Sequence, residues 1–302
     1  MSRIDEALKR ASQGALVGRI PARASESSVR LSDEFTLADY PLENRNGHGR
    51  ADAVRTPSES LLVSRVQVRA RTSSLSPDLG RKGKLVVGSD NNAAFIEQYR
   101  RLAATLHDAQ MEKGLKTVMV TSAVPREGKT LTAINLALTF SESYGRRVLL
   151  IDADLRRPSI HEVLAIPNDH GLSELLQSDR IEPTTVSVSP GLAVLPAGNI
   201  SENPLAGLSS ARMRTFVEEM ATRFDWVLLD TPPVGLLPDA QVLGRVAQAA
   251  VFVIRAGATP YPVVDRAIAE LGRDCIIGTV LNGVEERTLP ATAYYGHYYG
   301  QK

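Results

Sequence analysis

Three short stretches of this chain gather residue types that handle phosphate and metal. The first is AVPREGKT: Ala123, Val124, Pro125, Arg126, Glu127, Gly128, Lys129 and Thr130. It fits the relaxed form of the Walker A phosphate loop, with Ala123 where the commonest pattern has glycine. Gly128 lets the backbone approach phosphate with no Cβ in the way, and the helix that follows aims its N-terminal amides at the anion. Lys129 can reach the terminal phosphates, and the Thr130 hydroxyl can ligate Mg²⁺. The second stretch, LLIDADLRRP (149–158), ends an apolar run in Asp152 and Asp154, then Arg156 and Arg157. One acid at a strand end often caps a helix. Two acids beside a triphosphate build up negative charge that Mg²⁺ would offset. The third, WVLLDTPP (226–233), places Asp230 after four apolar residues, the Walker B arrangement of a metal-holding acid. The chemistry this set could do is magnesium-dependent binding of ATP, with cleavage or transfer of its phosphate.

Such residues must be held at the ends of strands, and the pattern supplies them. Strands are expected at 116–122, 146–154, 225–233, 247–257 and 275–284, each a run of apolar, often β-branched residues. Between them lie helical periods at 89–114, 130–145 (amphipathic, ending at Gly145), 209–224 and 261–272. Buried strands alternating with amphipathic helices predict an α/β fold of the P-loop NTPase type, a mostly parallel sheet with helices on both faces. Ligands of such sheets bind beyond the carboxyl ends of the strands. The spacing therefore puts the three motifs on one rim.

The first 85 or so residues are different. They hold only two aromatic residues, Phe35 and Tyr40, among Ser, Arg, Pro and acids, and carry a mild basic excess. The expected organisation is a largely disordered extension over 1–85, a nucleotide-binding domain over 86–290 and a tail over 291–302. Within the extension, Ile4, Ala7, Leu8, Ala11 and Leu16 fall near one helical face behind Ser2, a docking helix or a frayed end. Residues 61–74 alternate weakly, as a short strand would. Net charge is +1 over 302 residues, which implies no nucleic-acid partner. No apolar run reaches the roughly 18 residues that cross a bilayer. Cys275 is the single cysteine, so no disulfide framework exists, and its place in the last expected strand reads as packing. These features point to the cytoplasm. The five histidines show no metal-ligand spacing.

The tail, AYYGHYYGQK, holds four of the eight tyrosines: Tyr294, Tyr295, Tyr298 and Tyr299. Nothing in its glycine-spaced sequence could bury them.

The Walker A loop, the D-x-D-x-R motif (Asp152, Asp154, Arg156), the Walker B acid and the tyrosine-rich end together resemble the bacterial tyrosine kinases of capsule and exopolysaccharide loci. The resemblance covers about residues 86–302. It implies an ATP-dependent autokinase in which Lys129 and Thr130 hold phosphate and Mg²⁺, while Asp152 and Asp230 complete the metal site. One of Asp152 and Asp154 would help accept the proton of a tyrosine hydroxyl, whose pKa is about 10. Lys129, Asp152 and Asp154 are thus the catalytic candidates. The tail tyrosines would be the acceptors, reached from a neighbouring subunit of a homo-oligomer.

Two positions depart from the family's pattern. On the helix before the loop, Glu97 and Arg100 match its E-x-x-R-x-x-R motif of subunit packing, but Ala103 stands at the last position and Arg101 is out of register. The alternative is a charge pair on a solvated helix. In the loop, Arg126 stands where glycine is commoner. Proteobacterial members fuse the kinase to a membrane-spanning polysaccharide co-polymerase region, which is not read in this sequence. The resemblance therefore implies a separate membrane activator that recruits the protein to the inner face of the membrane, and a cognate tyrosine phosphatase. Asn282 sits where related folds recognise the base, or is a turn residue before Gly283. Arg156 and Arg157 are candidates for charge stabilisation, with a surface ion pair expected for at least one. The rival class is the Min- and Par-type switch ATPase, whose loop carries a lysine where this chain has Val124. A nucleotide-binding scaffold without catalysis is the other alternative.

Overall fold

The computed structural model describes residues 69–72, 85–86, 93–178, 183–201, 203–235 and 237–284. The expected N-terminal helix, most of the 1–85 extension and the tyrosine tail lie outside them. Five apolar runs form strands where the sequence places them: β2 (Thr117–Ser122), β3 (Val148–Asp152), β6 (Trp226–Asp230), β7 (Ala249–Arg255) and β8 (Ile276–Asn282). Three further strands, β1 (Arg69–Thr72), β4 (Thr184–Ser189) and β5 (Leu192–Leu195), complete a sheet ordered β1-β4-β5-β3-β6-β2-β7-β8. Every neighbouring pair is parallel except β4 with β5, an antiparallel hairpin. The fold is thus the mostly parallel α/β sheet that the pattern dictates.

Alternation along the buried strands sorts the core into two layers. Val118, Val120, Leu150 and Leu228 face α1 (Ala93–Lys113) and α2 (Lys129–Ser143). Met119, Leu149, Ile151 and Leu229 face the opposite layer, where α6 (Ala211–Arg223) and α8 (Tyr261–Leu271) contribute Phe216, Met220, Val264 and Ile268. Short helices α3 (Ile160–Leu164), α4 (Leu172–Gln177), α5 (Pro204–Leu208) and α7 (Asp239–Gly244) fill the connections. The Ser210 hydroxyl starts α6 by accepting the Met213 N–H at 3.2 Å, one of the donors a helix start leaves free.

Some expectations change. Helix α2 is not amphipathic: it is buried nearly all round, because the sheet lies under it and Ala103 and Leu106 of α1 cover it. Cys275 lies in a 3₁₀ turn (Arg273–Cys275), half-buried, and β8 starts one residue later. Ala103 is fully buried, so the third position of the motif on α1 faces the core, and Glu97 pairs with the out-of-register Arg101 at 3.6 Å. Of the weak 61–74 alternation, only Arg69–Thr72 is described, and it is a strand.

Candidate nucleotide site

The order β3-β6-β2 brings the three motifs together. Asp152 and Asp230 are register partners at the ends of adjacent strands, and Asp230 also pairs with Val120 of β2. The loop 123–128 leaves the end of β2 and enters α2 at Lys129. Both aspartates share the face on which α2 lies, so strand parity delivers them to the first turn of that helix.

Lys129 is the hub. Its Nζ donates to Asp154 Oδ2 at 2.9 Å and stands 3.7 Å from Asp230 Oδ1, with its side chain only 11% exposed. Burial alone would push this ammonium down, but attraction to Asp230 and Asp154 outweighs it and holds the group above its ordinary value. Asp152 accepts the N–H groups of Ser159 and Ile160 on Oδ2 (3.1 and 3.0 Å) and that of Asp154 on Oδ1 (3.3 Å). It caps the start of α3, although Ser159 holds the cap position. The Ser159 hydroxyl donates instead to Thr130 Oγ1 at 3.1 Å.

Asp230 is different. It is fully buried, and neither carboxylate oxygen has a partner at hydrogen-bond geometry. Burial pushes its pKa up, opposed by Lys129. An ionised group placed this way is costly unless a cation completes it. Among the described residues, no three His, Cys, Asp or Glu side chains converge to hold a metal alone. A magnesium ion uses one or two carboxylates and takes its other ligands from phosphate and water, so Asp230, Asp152 and Thr130 fit it.

The electrostatics give a pH dependence. Burial and repulsion from Asp230 push Asp152 up to about 8, against the pull of the Ile160 N–H and Lys129. A carboxyl raised on folding contributes stability that is complete below its ordinary pKa and is lost as pH climbs through the folded value. Between about pH 6 and pH 8 the ligand-free protein should lose on the order of 2 kcal/mol, a fall of about 4–8 °C in melting temperature. Asp152→Asn should flatten that slope. Thermal melts of both proteins across this range check it, and parallel slopes would refute the assignment.

The loop itself is moored. Arg126 (φ 68°) and Gly128 (φ 94°) are both left-handed, and a Cβ at Gly128 would overlap the Asn282 amide. Asn282, expected at the base or in a turn, donates from Nδ2 to the Glu127 carbonyl at 2.8 Å and so packs on the loop. Glu127 is buried, with bonds to Val124, Arg255 and Thr259. Pro125 and Arg126 are exposed, and Ala123 and Lys129 are buried. Arg156 makes a two-bond pair with the buried Asp239 at 2.6 and 3.2 Å, which is the ion pair foreseen for one of the two arginines. The sequence reading missed Asp239, Ser159 and the mooring by Glu127, because each acts through a partner far along the chain. Tyr294, Tyr295, Tyr298 and Tyr299 lie outside the described residues. Among those described, no helix is long and apolar enough to cross a membrane.

Comparison with known proteins matches this architecture. Residues 117–271 match the family model described as cellulose biosynthesis protein BcsQ. The tyrosine-protein kinase YwqD of Bacillus subtilis is 39% identical over 210 residues, 68% of this chain and 86% of that one. The putative tyrosine-protein kinase CapB of Staphylococcus aureus is 29% identical over 76% of this chain and 98% of its own. Among solved structures, the kinase domain of the Escherichia coli tyrosine kinase ETK superposes with a TM-score of 0.60 at 34% identity, covering 64% of this chain and 77% of that one. Similarity that runs through most of the length of two such proteins, on a sheet shared with the kinase domain of a third, makes this chain a member of the bacterial tyrosine-protein kinase family.

Proposed function

We propose that the protein is an ATP-dependent protein-tyrosine autokinase that modifies Tyr294, Tyr295, Tyr298 and Tyr299, between subunits of a homo-oligomer. The observation that carries this reading is the Lys129 hub, which joins the phosphate loop to Asp154 and Asp230 at the carboxyl ends of β3 and β6. In the ligand-free protein the Nζ of Lys129 is committed to Asp154. With nucleotide present, the ammonium turns to the terminal phosphates, and Asp154 Oδ2 is released. Asp152 keeps its oxygens on three backbone N–H groups, so Asp154 is the better placed of the two to take the phenol proton. The tyrosine oxygen then bonds to the γ-phosphorus, the bond to the bridging oxygen breaks, and ADP leaves. Mg²⁺, held by Asp230, Asp152 and Thr130, would neutralise phosphate charge.

Control of exopolysaccharide or capsule synthesis is the wider role, supported by the family resemblance and by the polysaccharide description of the matching family model. A membrane-spanning activator and a tyrosine phosphatase complete the proposal. Adaptor binding that survives deletion of residues 1–85 would remove that segment from recruitment. The direct test incubates the full chain, with a membrane fraction supplying the activator, with labelled ATP and Mg²⁺. Label is expected on tyrosine, and it should vanish when the four tail tyrosines become phenylalanine and when Mg²⁺ is chelated. Release of phosphate with no label on tyrosine would favour a switch ATPase.

A further inference from the structure

A carboxylate inside a loop built to bind phosphate needs a reason. Glu127 is 1% exposed, and its side chain turns away from solvent into the protein. Oε2 accepts the N–H of Val124 at 2.9 Å, which closes the loop on itself. Oε1 accepts the Arg255 N–H at 3.1 Å and the Thr259 hydroxyl at 2.6 Å, which ties the loop to the end of β7 and the approach to α8. The main chain of the same residue is gripped as well, through the Asn282 amide on its carbonyl. The residues on either side, Arg126 and Gly128, both hold positive φ. Two consecutive reversals of the backbone therefore pivot on one side chain fixed at both ends.

We infer that Glu127 is a positioning residue for nucleotide, holding the phosphate loop in its binding shape before nucleotide arrives. The reasoning is energetic. Of the two left-handed positions only Arg126 is not glycine; such a residue costs about 1–3 kcal/mol and persists only where its surroundings over-determine it. An unmoored loop would recover that cost by relaxing and would have to be reshaped by the ligand, which lowers affinity rather than the rate of the bound complex. Glutamate suits the task because both carboxylate oxygens accept, three donors in all, whereas a glutamine keeps one oxygen and must turn its N–H₂ either toward the Val124 N–H or toward the Arg255 N–H and the Thr259 hydroxyl. Thr259 is the distal peg. This inference rests on the loop being the nucleotide site and is indifferent to whether tyrosine receives the phosphate.

Calorimetric titration of the full chain with Mg-ADP tests it, together with the ATP dependence of turnover. Glu127→Gln should weaken ADP at least tenfold and raise KM for ATP in step, with kcat changed less than about threefold. Thr259→Val, which removes one donor and leaves the carboxylate, should weaken ADP about threefold, and Thr259→Ser should restore it. The double variant should bind no more weakly than Glu127→Gln alone. If Glu127→Gln fails to fold, the valine and serine pair at position 259 decides. ADP affinity within twofold of the parent in folded Glu127→Gln or in Thr259→Val overturns the inference, as does strict additivity of the two. A parent chain that binds no Mg-ADP would instead sink the nucleotide reading itself.

Discussion

Lys129→Met is expected to lower phosphate transfer to tyrosine by about three orders of magnitude and to destabilise the protein in a pH-dependent way. The catalytic loss follows from geometry: Lys129 is the cation that opens α2, and removing a preorganised donor to developing charge costs about 10²–10³ in rate before its role in ground-state binding is counted. The stability effect has a separate cause. Asp154 and Asp230 would lose the ammonium at 2.9 and 3.7 Å, and Asp230 would keep only the neighbouring Thr130 hydroxyl, which does not meet strict hydrogen-bond geometry. Breaking a buried ion pair from one side costs about 3–5 kcal/mol. Protonation of the orphaned carboxyl relieves that cost, and Asp230 already stands above its ordinary value. Melting temperature in the variant should therefore fall most at alkaline pH and recover as the pH drops. Labelling of the full chain and melts at two pH values check both halves. Label within tenfold of the parent would remove Lys129 from the chemistry.

If the proposed homo-oligomer forms, complete phosphorylation of the tail is expected to loosen it. Four phosphates add about −6 to −8 charges, against a formal net charge of +1 for the whole chain. Charge concentrated in one short segment of each subunit repels its copies. At about 1 M salt the screening length shrinks to roughly 3 Å, so added salt should restore association. Sedimentation of fully modified protein, at low and high salt, provides the measurement. An unchanged profile after complete modification would contradict the expectation.

The central sheet was legible because its strands are continuous apolar runs, and the order of motifs named the rim where they meet. The hairpin β4–β5 was less so. Thr184–Ser189 alternates small polar and apolar residues, and Leu192–Leu195 is only four residues long, so neither gives the signal of a buried parallel strand. Helix α2 misled for the opposite reason: its polar Thr132, Asn135, Thr139 and Ser141 suggested a solvated face, yet all are buried. Thr139 bonds back to the Asn135 carbonyl, and Asn135 Oδ1 accepts the Val86 N–H. At the site, types and spacing singled out Lys129, Asp152, Asp154 and Asp230, which the fold brings together. They could not show that Asp152 caps α3 while Asp230 accepts no backbone N–H and faces Lys129, since both read as an acid after an apolar strand. Contacts such as Glu127 with Thr259 join residues more than a hundred positions apart and leave no local pattern.

The end of β8 also fixes a length. Asn282 touches the phosphate loop, and Tyr294 follows it by twelve residues. Backbone dimensions cap that separation at about 40 Å. A group confined to such a sphere has an effective concentration on the order of millimolar, whatever the amount of protein in the cell. On the proposed transfer between subunits, a site that a neighbour's tail reaches within this span would need little intrinsic affinity for tyrosine, and a foreign peptide at micromolar levels would compete with a tethered acceptor. Dilution would leave the supply of acceptor within each proposed oligomer unchanged and would act only by dissociating it.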